Sequence, residues 1–184
     1  MEIADARLLL LVESLLFVAA EPAATARMAQ ALGVSEERVQ AALAQLEIDL
    51  QGRGVRLQVH RGAAQLVSAP EAAEAIEAFL GLDLTSKLSR PALETLSIIA
   101  YRQPVTRPQI EAIRGVNSDG VLRTLLSRGL VEEVGRLEQA GRPILYGTTF
   151  AFLQYFGIER VQDLPPLEED AAEALAERAQ MGEG

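Results

Sequence analysis

The chain contains no cysteine and no tryptophan, one histidine and one lysine. Without cysteine there is no disulfide framework, no thiolate nucleophile and no cysteine-bearing metal site, which suits a reducing cytosol. The single histidine, His60, stands on the polar phase of an expected strand and reads as a solvated side chain rather than a general base. A phosphate-binding glycine loop is missing, as is any His and carboxylate cluster with metal-ligand spacing. Glu132 and Glu133 are adjacent in an expected strand, so they point to opposite faces and cannot work as a catalytic pair. No catalysis, cofactor or metal is expected.

A membrane span is lacking too. Leu8–Ala20 is apolar apart from Glu13 and Ser14 and is shorter than the roughly 20 residues that cross a bilayer. Glu2 and Asp5 against Arg7 deny it the positive flank of a signal peptide. The expectation is a cytoplasmic chain with no membrane partner.

What is present is 184 residues, 49 % of them hydrophobic, enough for two small domains. The net charge of −9 is uneven: residues 1–84 and 150–184 are acidic, and residues 85–149 carry a modest basic excess. Most of the surface would therefore repel a polyanion.

The chain echoes itself at an offset of 82 residues. Pro22, Gly33, Val34, Val39 and Leu43 recur as Pro104, Gly115, Val116, Val121 and Leu125. Each match has a physical task. The proline stops a first helix, the glycine closes a short second one, and the valine after it makes a hydrophobic contact at the turn. The later valine and leucine share one face of a third helix. An ordered set of such matches indicates two copies of one supersecondary unit.

In copy one, helices are expected over Leu8–Ala19 and Thr25–Leu32, and after Ser35, whose hydroxyl can cap the third. In copy two they are expected over Ser89–Tyr101, after a Thr106/Gln109 capping box, and after Ser118. Alternation over Val55–His60, a turn at Arg61-Gly62 and a return over Gln65–Ser68 give one hairpin. Leu130–Val134 and Ile144–Thr148 give another, and a further helix lies near Glu71–Leu80. Three helices followed by a β-hairpin make a winged helix. The expected fold class is mostly α with small β-wings (α+β): two tandem winged-helix domains, residues 1–84 and 85–163. A loop at Gly81–Lys87 separates them, and an acidic, flexible tail occupies residues 164–184.

A winged helix commonly reads DNA with its third helix. In copy one that helix displays Glu36, Glu37, Glu47 and Asp49 against Arg38, the wrong sign for the task. Copy two offers Arg107, Arg114, Arg123 and Arg128 as possible nucleic-acid contacts, or as partners for carboxylates. Protein association has more direct support. The first helix is hydrophobic all round. A stripe of Leu8, Val12, Leu15 and Ala19 can face its own core, which leaves Leu9, Leu10, Leu16 and Phe17 for a homodimer interface. A second candidate surface combines Tyr101, Arg102, Gln103, Pro104 and Val105 with Arg142 and Tyr146, since tyrosine and arginine are enriched in binding hot spots. Turn chemistry around a buried tyrosine is the alternative there.

Leu88–Thr106, with its run Ser97-Ile98-Ile99-Ala100-Tyr101-Arg102-Gln103-Pro104-Val105-Thr106, closely resembles the signature of the segregation and condensation protein B family. The resemblance continues through Ile113–Ser118, Gly141-Arg142-Pro143, Tyr146–Thr149 and Phe152–Gly157, and more loosely through Glu13–Phe17 with Glu21-Pro22. It implies two winged-helix domains, dimerisation mainly through the first, and no enzymatic activity. It also implies binding to the kleisin subunit, segregation and condensation protein A, which bridges an SMC ATPase, and the second surface is the expected place for it. The setting would be chromosome condensation and partition at the nucleoid during cell division, with DNA touched weakly or indirectly. The alternative is a winged-helix transcriptional regulator that binds DNA.

Overall fold

The computed structural model describes residues 3–80 and 88–167. The loop expected at Gly81–Lys87 and the tail beyond residue 167 lie outside them. The described residues form two units: residues 3–80 with 157–163, and residues 88–156 with 164–167.

In the first unit, α1 (Asp5–Val18) is followed by β1 (Ala23–Ala24), α2 (Thr25–Leu32) and α3 (Glu36–Asp49). The hairpin β2 (Val55–His60) and β3 (Ala63–Ser68) comes next, then a 3-10 turn at Pro70–Ala72 and α4 (Ala73–Leu80). Leu8, Val12 and Leu16, each four residues apart, pack with Val39, Leu43 and Leu46 of α3 and Leu57 of β2 in one core. The inward stripe of α1 thus ends in Leu16; Leu15, expected there, packs partly against the same core, and Ala19 is exposed. Leu16 is 3 % exposed, which removes it from the expected dimer face.

The sheet runs β1-β3-β2, all antiparallel. Arg61 and Gly62 both have positive φ, the two-residue turn that matches the twist of a hairpin. The Gly62 carbonyl accepts from the Thr25 backbone N–H at 2.8 Å and from its hydroxyl at 3.0 Å, tying the wing tip to the start of α2.

The second unit repeats the plan: α5 (Arg90–Arg102), β4 (Val105–Thr106), α6 (Arg107–Arg114), α7 (Asp119–Ser127), β5 (Val131–Arg136) and β6 (Ile144–Thr148), with a closing α8 (Phe150–Phe156). Its sheet has the equivalent order β4-β6-β5. Gly33 and Gly115 both sit at left-handed φ after the second helix of their copy. The capping box of Thr106 and Gln109 is formed. Each unit is a winged helix.

Two local expectations differ. Ser35 stands at the start of α3, but its hydroxyl does not cap the helix. Glu37 takes the backbone N–H at the start of α3 instead, which together with the Ser35 hydroxyl holds its carboxyl below the usual range. The Ser118 hydroxyl accepts from Arg114 at 3.0 Å. Val34 packs on the core while its repeat partner Val116 is exposed, so the turn contact exists in one copy only.

Residues 157–163, grouped with the second domain in the sequence reading, make their contacts in the first unit. Gln58 Nε2 donates to the Ile158 carbonyl at 2.8 Å, and Val59 N–H donates to the Glu159 carbonyl at 3.3 Å. The polar phase of β2 is covered as a result: Gln58 is 2 % exposed, and His60 is half-buried and engaged rather than solvated.

Candidate functional site

The apolar residues that α1 cannot bury lie on its outer face. Leu10, Ser14 and Phe17 follow at spacings of four and three, so they share one side of the helix. Leu10 is 50 % exposed and Phe17 81 %. The Ser14 hydroxyl donates to the Leu10 carbonyl at 2.8 Å, so the one polar group between them is satisfied within the helix. Of the residues expected at a dimer interface, Leu10 and Phe17 are exposed, Leu9 packs partly against the core, and Leu16 lies inside.

Val18, also exposed, leads from this face into a groove of about 480 Å³ between the end of α1 and α2. Leu15, Ala19, Pro22, Met28 and Ala31 line it, with Glu21 and Arg27 as its charged members. Further along the unit, α4 buries none of its residues, and Phe79 is 88 % exposed. Contiguous exposed apolar patches, rather than single exposed side chains, are the usual candidates for association.

In the second unit the structure brings together part of the Tyr101–Val105 set. Val105 pairs with Tyr146 across β4 and β6, and both are buried. Burial pushes the Tyr146 phenol up, and the nearby Glu133 carboxylate adds to the effect. Gln103 Oε1 accepts from the Thr148 backbone N–H at 2.8 Å and from its hydroxyl at 3.0 Å. Gln103 therefore ties the end of α5 to the wing strand, and Val105 and Tyr146 are buried in the sheet. Tyr101 and Arg102 are half-buried at the end of α5, and Pro104 is exposed after a cis peptide bond. The Tyr101 hydroxyl donates to the Pro165 carbonyl at 2.6 Å, so the first residues of the expected tail are held in place. Arg142 is in the wing turn, paired with Glu138 at 2.9 Å.

The arginines considered for nucleic acid are engaged within the unit. Arg107 and Arg123 both pair with Asp119. Arg114, its side chain only 5 % exposed, pairs with Glu94, and Arg128 is engaged as well. A phosphate backbone would have to compete with these carboxylates.

A surface that sequence reasoning missed lies on α8, where Tyr155 and Phe156 are exposed and stack edge to face at 5.1 Å. Phe150, Phe152, Tyr155 and Phe156 within seven residues were the available signal. Among the described residues no group of His, Asp and Glu is disposed to hold a metal ion, and no helix is long and apolar enough to cross a membrane.

A family model described as "Segregation and condensation complex subunit ScpB" matches residues 10–167. The segregation and condensation protein B of Moorella thermoacetica is 50 % identical over 174 residues, covering 94 % of this chain and 89 % of the relative. A crystal structure of ScpB from Mycobacterium tuberculosis is 36 % identical and covers 86 % of this chain and 99 % of that one, with a TM-score of 0.42. A crystal structure of a dimer of a ScpB N-terminal domain complexed with ScpA peptide is 28 % identical, covers 39 % of this chain and 91 % of that one, and has a TM-score of 0.37.

Proposed function

The chain belongs to the segregation and condensation protein B family, and from that membership we propose that it is a non-enzymatic scaffold subunit in bacterial chromosome condensation and segregation. It works as a homodimer that binds the kleisin subunit, segregation and condensation protein A, and through it an SMC ATPase. Its place is the cytoplasm, at the nucleoid, during cell division.

The outer face of α1 carries the dimer reading. A two-fold interface uses the same patch twice, so each chain contributes one Leu10 and one Phe17. Fully burying an exposed side chain of this size stabilises by about 1.5–3 kcal/mol, and Leu10, already half-buried, has less left to gain than Phe17. The kleisin contacts the second unit through the accessible part of the expected set: exposed Pro104 and Arg142, with the half-buried Tyr101 and Arg102. The other use of a winged helix, reading duplex DNA, is opposed by the acidic α3 and by the pairing of Arg107 and Arg123 with Asp119.

Titration calorimetry of the full chain with the kleisin from the same source tests this reading. Saturable binding is expected, weakened by Arg102→Ala with Pro104→Ala in a chain that stays folded. A folded chain that releases no heat with the kleisin and exerts no effect on the kleisin–SMC assembly contradicts it.

A further inference from the structure

Residues 157–163 belong to the first unit although the chain on both sides of them belongs to the second. Polar contacts tie them to the first unit, where Ile158 and Val161 are half-buried. Beside the two hydrogen bonds from Gln58 and Val59, Arg56 Nε stands 3.5 Å from the Glu159 carboxylate, and Arg160 pairs with Glu47 of α3. These groups are partly open to solvent: the side chains of Glu159, Arg160 and Glu47 all retain exposure. Each such contact contributes little net, because water competes for the same donors and acceptors. None of the buried core cluster of the first unit comes from this segment; all of it lies between Leu8 and Ala64. The segment can leave without opening that core.

The start of the segment is built for one seat. Gly157 has φ +65, which side chains rarely adopt, and a Cβ there would stand 3.2 Å from the Pro70 ring, so any other residue is strained at this position. Release is also tolerable at Gln58. Its amide passes from the Ile158 carbonyl to water, and its Oε1 keeps the bond from Gln65 at 3.0 Å.

We propose that residues 157–163 form a salt-sensitive clasp that lifts from β2 while the first unit stays folded, baring the outer edge of that strand. The charges that govern it are Glu47 on α3, Arg56 on β2, Glu71 in the 3-10 turn, and Glu159, Arg160 and Asp163 in the clasp itself. Salt screens pairs of this kind, with a screening length of about 10 Å at 0.1 M. The bared edge presents the Val59 N–H, a donor of the kind that an extended peptide pairs when it adds to a sheet.

Hydrogen exchange of the full chain tests the clasp at a single amide. The Val59 N–H is bonded to Glu159 alone, whereas the amide of Val39 lies in the core helix. Raising salt from about 0.05 to about 0.5 M is expected to speed exchange at Val59 by about tenfold while Val39 stays as it was. Glu47→Gln and Gly157→Ala are each expected to speed Val59 at low salt, and Glu47→Arg with Arg160→Glu to restore its protection. If Val59 exchanges in step with Val39 and ignores salt and Glu47→Gln, the segment is part of the cooperative fold and the clasp is refuted. If Val59 is unprotected in the wild type at low salt, the segment does not dock and the proposal fails equally.

Discussion

Leu16 and Phe17 are consecutive residues of α1 with opposite surroundings: Leu16 is 3 % exposed inside the first core, and Phe17 is 81 % exposed outside it. The stability of the chain should separate them. Leu16→Ala is expected to cost about 2–5 kcal/mol, because it removes packed methyl groups and leaves a cavity. Phe17→Ala is expected to change stability by less than about 0.5 kcal/mol in a chain dilute enough to be monomeric. Urea unfolding of both variants checks this, and equal losses would be incompatible with the burial of Leu16.

Gln103 holds β6 through the backbone and hydroxyl of Thr148. Gln103→Ala removes the acceptor from both and is expected to destabilise the second unit by about 1–3 kcal/mol. Arg142→Ala, which touches only an exposed ion pair with Glu138, is expected to stay within about 0.5 kcal/mol of wild type. Thermal melts of the two variants distinguish a structural Gln103 from one that serves a partner.

Asp119 pairs with both Arg107 and Arg123. Its carboxyl is held below the ordinary range, first by the hydrogen bond from Arg123 and further by the charges of Arg123 and Arg107. A lowered carboxyl favours the folded state above the unfolded value of 3.8, and that contribution disappears as pH falls through the folded value. Asp119→Asn is expected to raise affinity for mixed-sequence duplex and to steepen its salt dependence by about one unit of slope. Fluorescence anisotropy across a salt series measures both. An unchanged slope would mean that Arg107 and Arg123 do not reach phosphate even when released.

Tyr146 gives the second unit an alkaline limit. Burial, followed by the charge of Glu133, raises its phenol above the ordinary 10.0. The folded state therefore favours the protonated phenol. This contribution is complete below pH 10.0 and lost as pH rises through the raised value. Ultraviolet difference titration of wild type against Tyr146→Phe is expected to place this phenol above 10, with Glu133→Gln moving it back towards the ordinary value.

The repeat was legible because its punctuation is chemical. Gly33 and Gly115 need left-handed backbone, and Thr106 with Gln109 closes a helix start, so the second helix of each copy fell where the spacing put it. The two hairpins followed from alternation and from the Arg61-Gly62 turn. The short strands β1 and β4 were not legible, since two residues carry no period and gain strand geometry only by pairing with β3 and β6. The face of α1 differs from expectation at Leu16 and Ala19 because a helix apolar all round has no phase of its own. Only the packing of α3 selects Leu16. Gln58 and His60 showed the converse: strand alternation assigned them to solvent, and a segment 100 residues away in sequence covers Gln58. Tyr146 and Val105 resembled a binding patch for a related reason, because the residues that join β4 to β6 are also large and aromatic or branched.

Light scattering of the full chain, as wild type and as Phe17→Glu, tests the homodimeric scaffold most directly. A dimer is expected for the wild type and a folded monomer, with unchanged circular dichroism, for a variant whose new charge lies on an exposed position. A monomeric wild type, or a Phe17→Glu chain that remains dimeric, would contradict dimerisation through the outer face of α1.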